Sequence, residues 1–165
     1  MLTLRPATIA DLPAIELIYN QGIEDGIATL EHAPKTAAEM RAWFDGHGKR
    51  YVVMAALDGD ELVGWASLNR YSHRCAHDGV ADLSIYVRRD KRGLGVGRQL
   101  MAALEHAAAA ASFHKIVLFA LTANEAGRRL YDSRGFREVG VFQEQGKLNG
   151  DFVDVLIMEK LLKKR

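Results

Sequence analysis

Apolar positions along this chain switch repeatedly between a two-residue and a three-to-four-residue period, and each switch predicts an element boundary. Leu2-Thr3-Leu4-Arg5 alternates as a strand does and stops at Pro6. Leu12, Ile15, Ile18 and Tyr19 then recur at helical spacing, with Thr8 or Asp11 able to cap the start and Gly22 predicted to end the helix after about Gln21. Ile27 to Pro34 reads as loop. Thr36 and Glu39 form a capping box ahead of a second helix bearing Met40, Trp43 and Phe44. The apolar runs Tyr51 to Leu57 and Glu61 to Asn69 are joined by Asp58-Gly59-Asp60, a hairpin signal, and Val80 to Val87 is a further strand. Val96, Leu100, Leu104, Ala107 and Ala111 mark the buried stripe of a third helix, within an alanine run of high helix propensity. Ile116 to Leu121 is nearly continuously apolar, as a buried parallel strand would be. A fourth helix begins near Asn124, and Arg137 to Gln143 with Phe152 to Met158 close the chain as an antiparallel pair.

Strands and helices are interspersed without repeat or linker, which predicts one mixed α/β domain over residues 1–165, long enough to bury a sizeable core. Twenty-two basic residues balance 21 acidic ones, so net charge gives no reason to expect a nucleic-acid or membrane partner. The single cysteine, Cys75, excludes an internal disulfide and suits a reducing cytoplasm. No apolar run reaches the roughly 18 residues that a membrane span needs, and Arg5 and Asp11 interrupt the start where a signal peptide would be apolar.

The chemistry concentrates after the Val80–Val87 strand. Gly93, Gly95 and Gly97 alternate through the loop Arg92-Gly93-Leu94-Gly95-Val96-Gly97-Arg98, immediately before the third helix. Glycines let the backbone take positive φ and approach a ligand closely, and a helix start adds free N–H groups and a positive dipole end. Arg88, Arg89, Lys91, Arg92 and Arg98 supply cations, so the segment reads as a site for a phosphorylated cofactor. A bare strand-to-helix turn with solvated charges is the competing reading. No Gly-Lys-Ser/Thr triplet follows, and Arg98 or Leu100 falls where a dinucleotide fingerprint needs its third glycine, so neither common nucleotide loop is favoured.

The loop resembles the R-x-x-G-x-G signature of the GNAT superfamily of N-acetyltransferases, with Arg92, Gly95 and Gly97 at its defining positions. The later segment from Asn124 through Leu130-Tyr131 to Gly135-Phe136 is similar to that superfamily's later helix. The opening L-R-P-A-T, the G-W-A-S-L and S-I-Y-V strands and the final G-K-L-N-G-D-F-V-D-V run look like its phosphinothricin and arsinothricin acetyltransferase branch, over residues 2 to 162. The resemblance implies a central mixed, mostly antiparallel sheet, splayed at strands 4 and 5 and flanked by about four helices. It implies acetyl-CoA as co-substrate, its pyrophosphate held by residues Arg92 to Arg98 and its pantetheine arm by Ile85, Tyr86, Val87 and Asn124. It also implies a small glutamate-like acceptor acetylated on its α-amino group, and a homodimer.

An amine must lose a proton before it attacks a thioester. Asp82 is the candidate base, because apolar neighbours Leu83 and Ile85 would desolvate its carboxylate and raise its pKa. A solvated or cross-strand-paired acid is the plainer alternative. In the resembled branch this strand carries glutamate; aspartate is one methylene shorter, which favours a bridging water. Tyr131 resembles the tyrosine that many members use to protonate the departing thiolate. On the acceptor side Arg70, Tyr71, His73 and Arg74 lie between two strands, where cations could meet an acceptor carboxylate, although ordinary loop charge explains each of them. His73-x-Cys75-x-His77 lacks the four-ligand pattern of a zinc site, so no metal is expected. Three rivals remain: acetylation of protein N-termini, a non-catalytic acyl-CoA sensor, and a covalent route through Cys75.

Overall fold

The computed structural model describes residues 1–162; residues 163–165 of the expected domain lie outside the described residues. Strand β1 (Leu2–Pro6) leads through a short turn into α1 (Leu12–Asp25) and α2 (Ala37–Asp45). Three strands follow: β2 (Val53–Asp58), β3 (Glu61–Arg70) and β4 (Val80–Val87). Then come α3 (Val96–Ala110), β5 (Lys115–Leu121), α4 (Glu125–Ser133) and the hairpin β6 (Arg137–Leu148) and β7 (Asp151–Leu161).

The strands form one sheet in the order β1-β2-β3-β4-β5-β7-β6. Every pairing is antiparallel except β4 with β5, which run parallel and are in register only at Val80, Ala81 and Asp82. Beyond Asp82 the two strands part, while β5 stays paired to β7 as far as Leu121. The expected splay is therefore present. Helix α3 covers one face of the sheet, with Leu100, Met101 and Leu104 in the cluster of Leu68, Leu83, Leu118 and Met158. Full burial of each such side chain contributes about 2 kcal/mol. On the other face α1 and α2 cover β2 to β4, through Ile15, Ile18, Met40, Val53 and Trp65. Among the described residues no helix is long and apolar enough to cross a membrane.

Several boundaries differ from the expectation. Helix α1 runs through Gly22 and ends at Gly26, whose φ of 68° is the left-handed cap. Gly22 instead marks a close approach, since a Cβ there would stand 2.9 Å from the Tyr86 ring. Strand β2 begins at Val53 rather than Tyr51. The buried stripe of α3 includes Met101 and Ala108, whereas Ala107 and Ala111 are only partly buried. The last hairpin is longer at both strands, because its turn is Asn149-Gly150 with φ of 51° and 89°, a pair suited to a tight β-turn.

Candidate active site

Where β4 leaves β5, a groove of about 410 Å³ opens. Ile85, Tyr86 and Val87 form its β4 wall, and Gly93, Gly95, Gly97, Arg92 and Arg98 its loop side. Asn124 and Tyr131 close it from α4. The loop takes this path because Gly93 and Gly95 sit at φ of 76° and 85°, where a side chain would be strained. Gly95 is the N-cap of α3, so the first-turn N–H groups of that helix, which lack helical partners, begin at the groove. Leu94 is exposed and Val96 is buried in the core, so neither side chain lines the groove. Asn124 caps α4, its Oδ1 accepting from the Gly127 N–H at 3.0 Å. Sequence reasoning missed Gly22, Asp25, Ile27 and Ala28, which reach the groove from the end of α1 and the loop beyond it.

The predicted cluster of cations is mostly engaged. Arg88 pairs with Asp90 and Glu61, Arg89 with Glu24 and Asp25, and Lys91 with Asp58. Arg92 donates to the Val87 carbonyl at 3.1 Å and to Asp25 at 2.5 Å. Burial opposes the charge on Asp25, but the hydrogen bonds from Arg89 and Arg92 outweigh it and hold this carboxyl below its ordinary range. Arg98 is the cation of the five that makes no ion pair among the described residues. An incoming phosphate would therefore find one unpaired guanidinium, a row of amides and a second guanidinium shared with Asp25.

Asp82 is the last β4 residue paired to β5, and its partners across the sheet are Asn69 and Val117. Burial pushes its carboxyl up from 3.8 to about 6, against hydrogen bonds from Asn69 and the Leu83 N–H. Asn69 Nδ2 donates to Asp82 Oδ2 at 3.3 Å and to Ser84 Oγ at 3.0 Å. Asn69 Oδ1 accepts from Ser67 Oγ and faces His47 Nε2, both at 3.0 Å. Sequence reasoning missed His47 and Asn69; strand register reveals Asn69, and the packing of the loop after α2 reveals His47. Tyr131, only 7% exposed, is pushed up to about 12 by burial and by the charge of Asp82. A carboxyl raised to about 6 beside a phenol that keeps its proton is an arrangement suited to acid–base work. Tyr131 lines the groove, whereas Asp82 lies just behind it.

A second cavity of about 380 Å³ lies across Tyr86, whose ring borders both spaces. Its walls are aromatic, with Tyr19, Trp43, Trp65 and Tyr86 packed edge to face or tilted at centroid distances of 4.9 to 5.8 Å. Ser84, Lys35 and Glu31 add polar groups, and the buried Trp65 indole N–H has no hydrogen-bond partner among the described residues. Arg70, Tyr71, His73 and Arg74 line neither space: they lie on the exposed end of β3 and the loop after it, with Arg70 stacked 6.0 Å from the Tyr51 ring centroid. Cys75 is exposed on the same loop. A larger cleft, about 610 Å³, lies along α1 at Glu16, Leu17 and Asn149 and contains none of the predicted residues. Among the described residues no group of three His, Cys, Asp or Glu could hold a metal ion.

The profile of the Acetyltransferase (GNAT) family matches residues 16–136. This chain belongs to the GNAT acetyltransferase family. It is 33% identical over 159 residues to the L-methionine sulfoximine/L-methionine sulfone acetyltransferase of Pseudomonas paraeruginosa, covering 95% of this chain and 92% of the relative. It is 30% identical to the phosphinothricin N-acetyltransferase of Streptomyces coelicolor, covering 96% and 95% of the two chains. Among solved structures, a GNAT superfamily phosphinothricin acetyltransferase from Sinorhizobium meliloti in complex with AcCoA superposes with a TM-score of 0.93 at 30% identity, over 98% of this chain and 88% of that one. The mixed α/β single domain with its seven-stranded sheet is thus the GNAT fold.

Proposed function

We propose that this GNAT protein moves the acetyl group of acetyl-CoA onto the amino group of a small amino-acid-like acceptor, both being bound at once. The observation that carries this reading is the groove between the splayed strands, with phosphate-binding features at one end and Tyr131 beside Asp82 at the other. The amides from Arg92 to Arg98 and the Arg98 guanidinium hold the pyrophosphate. Backbone groups of Ile85, Tyr86 and Val87, paired to β3 but free on the side where β5 has parted from β4, take the pantetheine arm together with Asn124. Acetyl-CoA supplies an activated thioester there. Asp82 accepts the proton of the acceptor ammonium, directly or through one water, so that the amine lone pair can attack the carbonyl carbon. As the C–N bond forms and the C–S bond breaks, Tyr131 gives its phenolic proton to the sulfur, the surplus proton on nitrogen passes through water to restore the phenol, and Asp82 releases its proton to solvent.

The acceptor class follows from the relatives, which are named for methionine sulfoximine, methionine sulfone and phosphinothricin. The aromatic cavity beyond Tyr86 supports it, being small and adjacent to the groove. Exposed Arg74, which lies outside both spaces and makes no ion pair among the described residues, is the proposed partner of the acceptor carboxylate, with Arg70, Tyr71 and His73 near it in sequence. The free thiol of Cys75 fits work in a reducing cytoplasm. A thiol-release assay with acetyl-CoA tests the reading against phosphinothricin, methionine sulfoximine, free amino acids, polyamines and peptides. Turnover on the first two is expected, with kcat reduced about 100-fold in Tyr131→Phe and the acceptor KM raised in Arg74→Ala. Turnover on peptides alone would overturn the acceptor class. Calorimetric binding of acetyl-CoA without CoA release from any amine would make the protein a sensor.

A further inference from the structure

The polar chain that ends on Asp82 begins well outside the groove, and its geometry limits how its protons can be arranged. Registration of β3 against β4 sets Asn69 opposite Asp82 and Ser67 opposite Ser84, so all four side chains share one face of the sheet. His47, just past α2, joins them from above: Nδ1 lies 2.8 Å from the Trp43 carbonyl and Nε2 lies 3.0 Å from Asn69 Oδ1. A carbonyl only accepts, so Nδ1 carries a hydrogen. Asn69 Oδ1 also only accepts, and it already accepts from Ser67 Oγ. The contact with Nε2 is then a hydrogen bond only when that nitrogen is protonated too. With Asn69 in this orientation its amide N–H2 faces Asp82 Oδ2 and Ser84 Oγ.

The opposite orientation reverses every partner. Nδ2 would donate to a neutral His47, and Oδ1 would face the Asp82 carboxyl, which could meet it only in the protonated form. The direction of an amide is decided by the network around it. Here one amide ties together the charges of two groups that never touch.

We propose that Asn69 and His47 are positioning residues for the base: His47 and Ser67 hold the Asn69 oxygen, and the Asn69 N–H2 thereby keeps Asp82 in its charged, proton-accepting form. This rests on the acetyltransferase reading for its consequence but not for its geometry. The ionisable group facing Asp82 from α4 is Tyr131, and Asp82's register partner on β5 is apolar Val117. On its own strand, Ser84 shares the Asn69 amide. The His47 ring packs at a tilt against Trp43, 4.6 Å between centroids, which holds it in place over Asn69. The sign follows directly. A hydrogen bond to the carboxylate favours the charged form, so losing it raises the pH at which Asp82 gives up its proton.

The test reads the carboxyl itself. In Asn69→Ala, the 13Cγ resonance of Asp82 should titrate about one pH unit higher than in the wild type. His47→Ala, which lets the amide turn, should move it in the same direction. His47→Gln keeps a donor toward Asn69 Oδ1 and should restore a midpoint close to wild type. The acid limb of kcat/KM should follow the same order, with acetyl-CoA affinity unchanged. An unshifted Asp82 midpoint in Asn69→Ala, or identical midpoints in His47→Ala and His47→Gln, overturns the proposal. Absence of turnover in the wild type would sink the enzyme reading alone, because the carboxyl titration needs no substrate.

Discussion

As the proposed base, Asp82 would serve proton transfer at the expense of the fold, and that conflict is measurable. Its carboxyl titrates at about 6 in the folded protein against 3.8 ordinarily, because burial penalises the charge more than Asn69 and Leu83 stabilise it. Below the ordinary value both folded and unfolded chains hold the proton, and the residue is neutral to stability. Between 3.8 and about 6 the folded chain binds more protons than the unfolded one, so stability falls as pH rises through that window. Above it the whole burden remains, on the order of 3 kcal/mol. Asp82→Asn should therefore raise the urea unfolding free energy by about that much at pH 7.5 and by almost nothing at pH 3.5, while abolishing most turnover. Equal effects at both pH values would mean that burial of charge is not what strains this position. In the wild type, activity should decline as pH drops through about 6, where the base becomes protonated.

The elements that frame the groove were the most legible in the sequence, and the reasons are local. Val80–Val87 was readable to the residue, since alternation and a following glycine loop bound it on both sides. The Thr36 capping box and the Asn124 cap both form, because their signals need only three or four neighbouring residues. Gly22 misled because a glycine inside a helix is a weak brake, and the Tyr86 ring that requires it comes from a strand far away in sequence. His47 and Asn69 are hidden for the same reason: Asn69 meets Asp82 only through strand register, and His47 meets Asn69 only through packing of the loop after α2. Glycines of the loop, by contrast, can be tested one at a time. A Cβ on Gly95 would meet nothing within 4 Å, so only the left-handed backbone at φ of 85° resists it. Gly95→Ala should thus lower stability by about 1–2 kcal/mol and weaken acetyl-CoA binding, the loop relaxing away from the geometry that aligns its amides. Calorimetric titration measures the second effect. Unchanged affinity would show that the amides at this turn do not hold the phosphates.

Across the whole molecule the helices are distributed unevenly, and that asymmetry supports the homodimer implied by the branch resemblance. Helix α3 covers its side of the sheet out to β5 and β7, through Leu118, Leu156 and Met158. On the opposite side α1 and α2 end over β4. Past them Leu30, from the loop between α1 and α2, packs over Leu121, Leu148 and Val155. Register then sets Phe119 beside Ile157, and Phe142 beside Val155, on that same side. Phe119 and Phe142 stay 45% and 46% exposed, next to the unpaired edge of β6, which also shows Val139 and Val141 to solvent. An apolar face continuous with a free strand edge is the surface that a second copy would cover. Light scattering at tens of micromolar should give twice the monomer mass for the wild type and the monomer mass for Phe142→Glu. That variant should keep its acetyl-CoA affinity, because the groove lies on the far side of β5 from β7. A monomeric wild type would leave this face without the partner assigned to it.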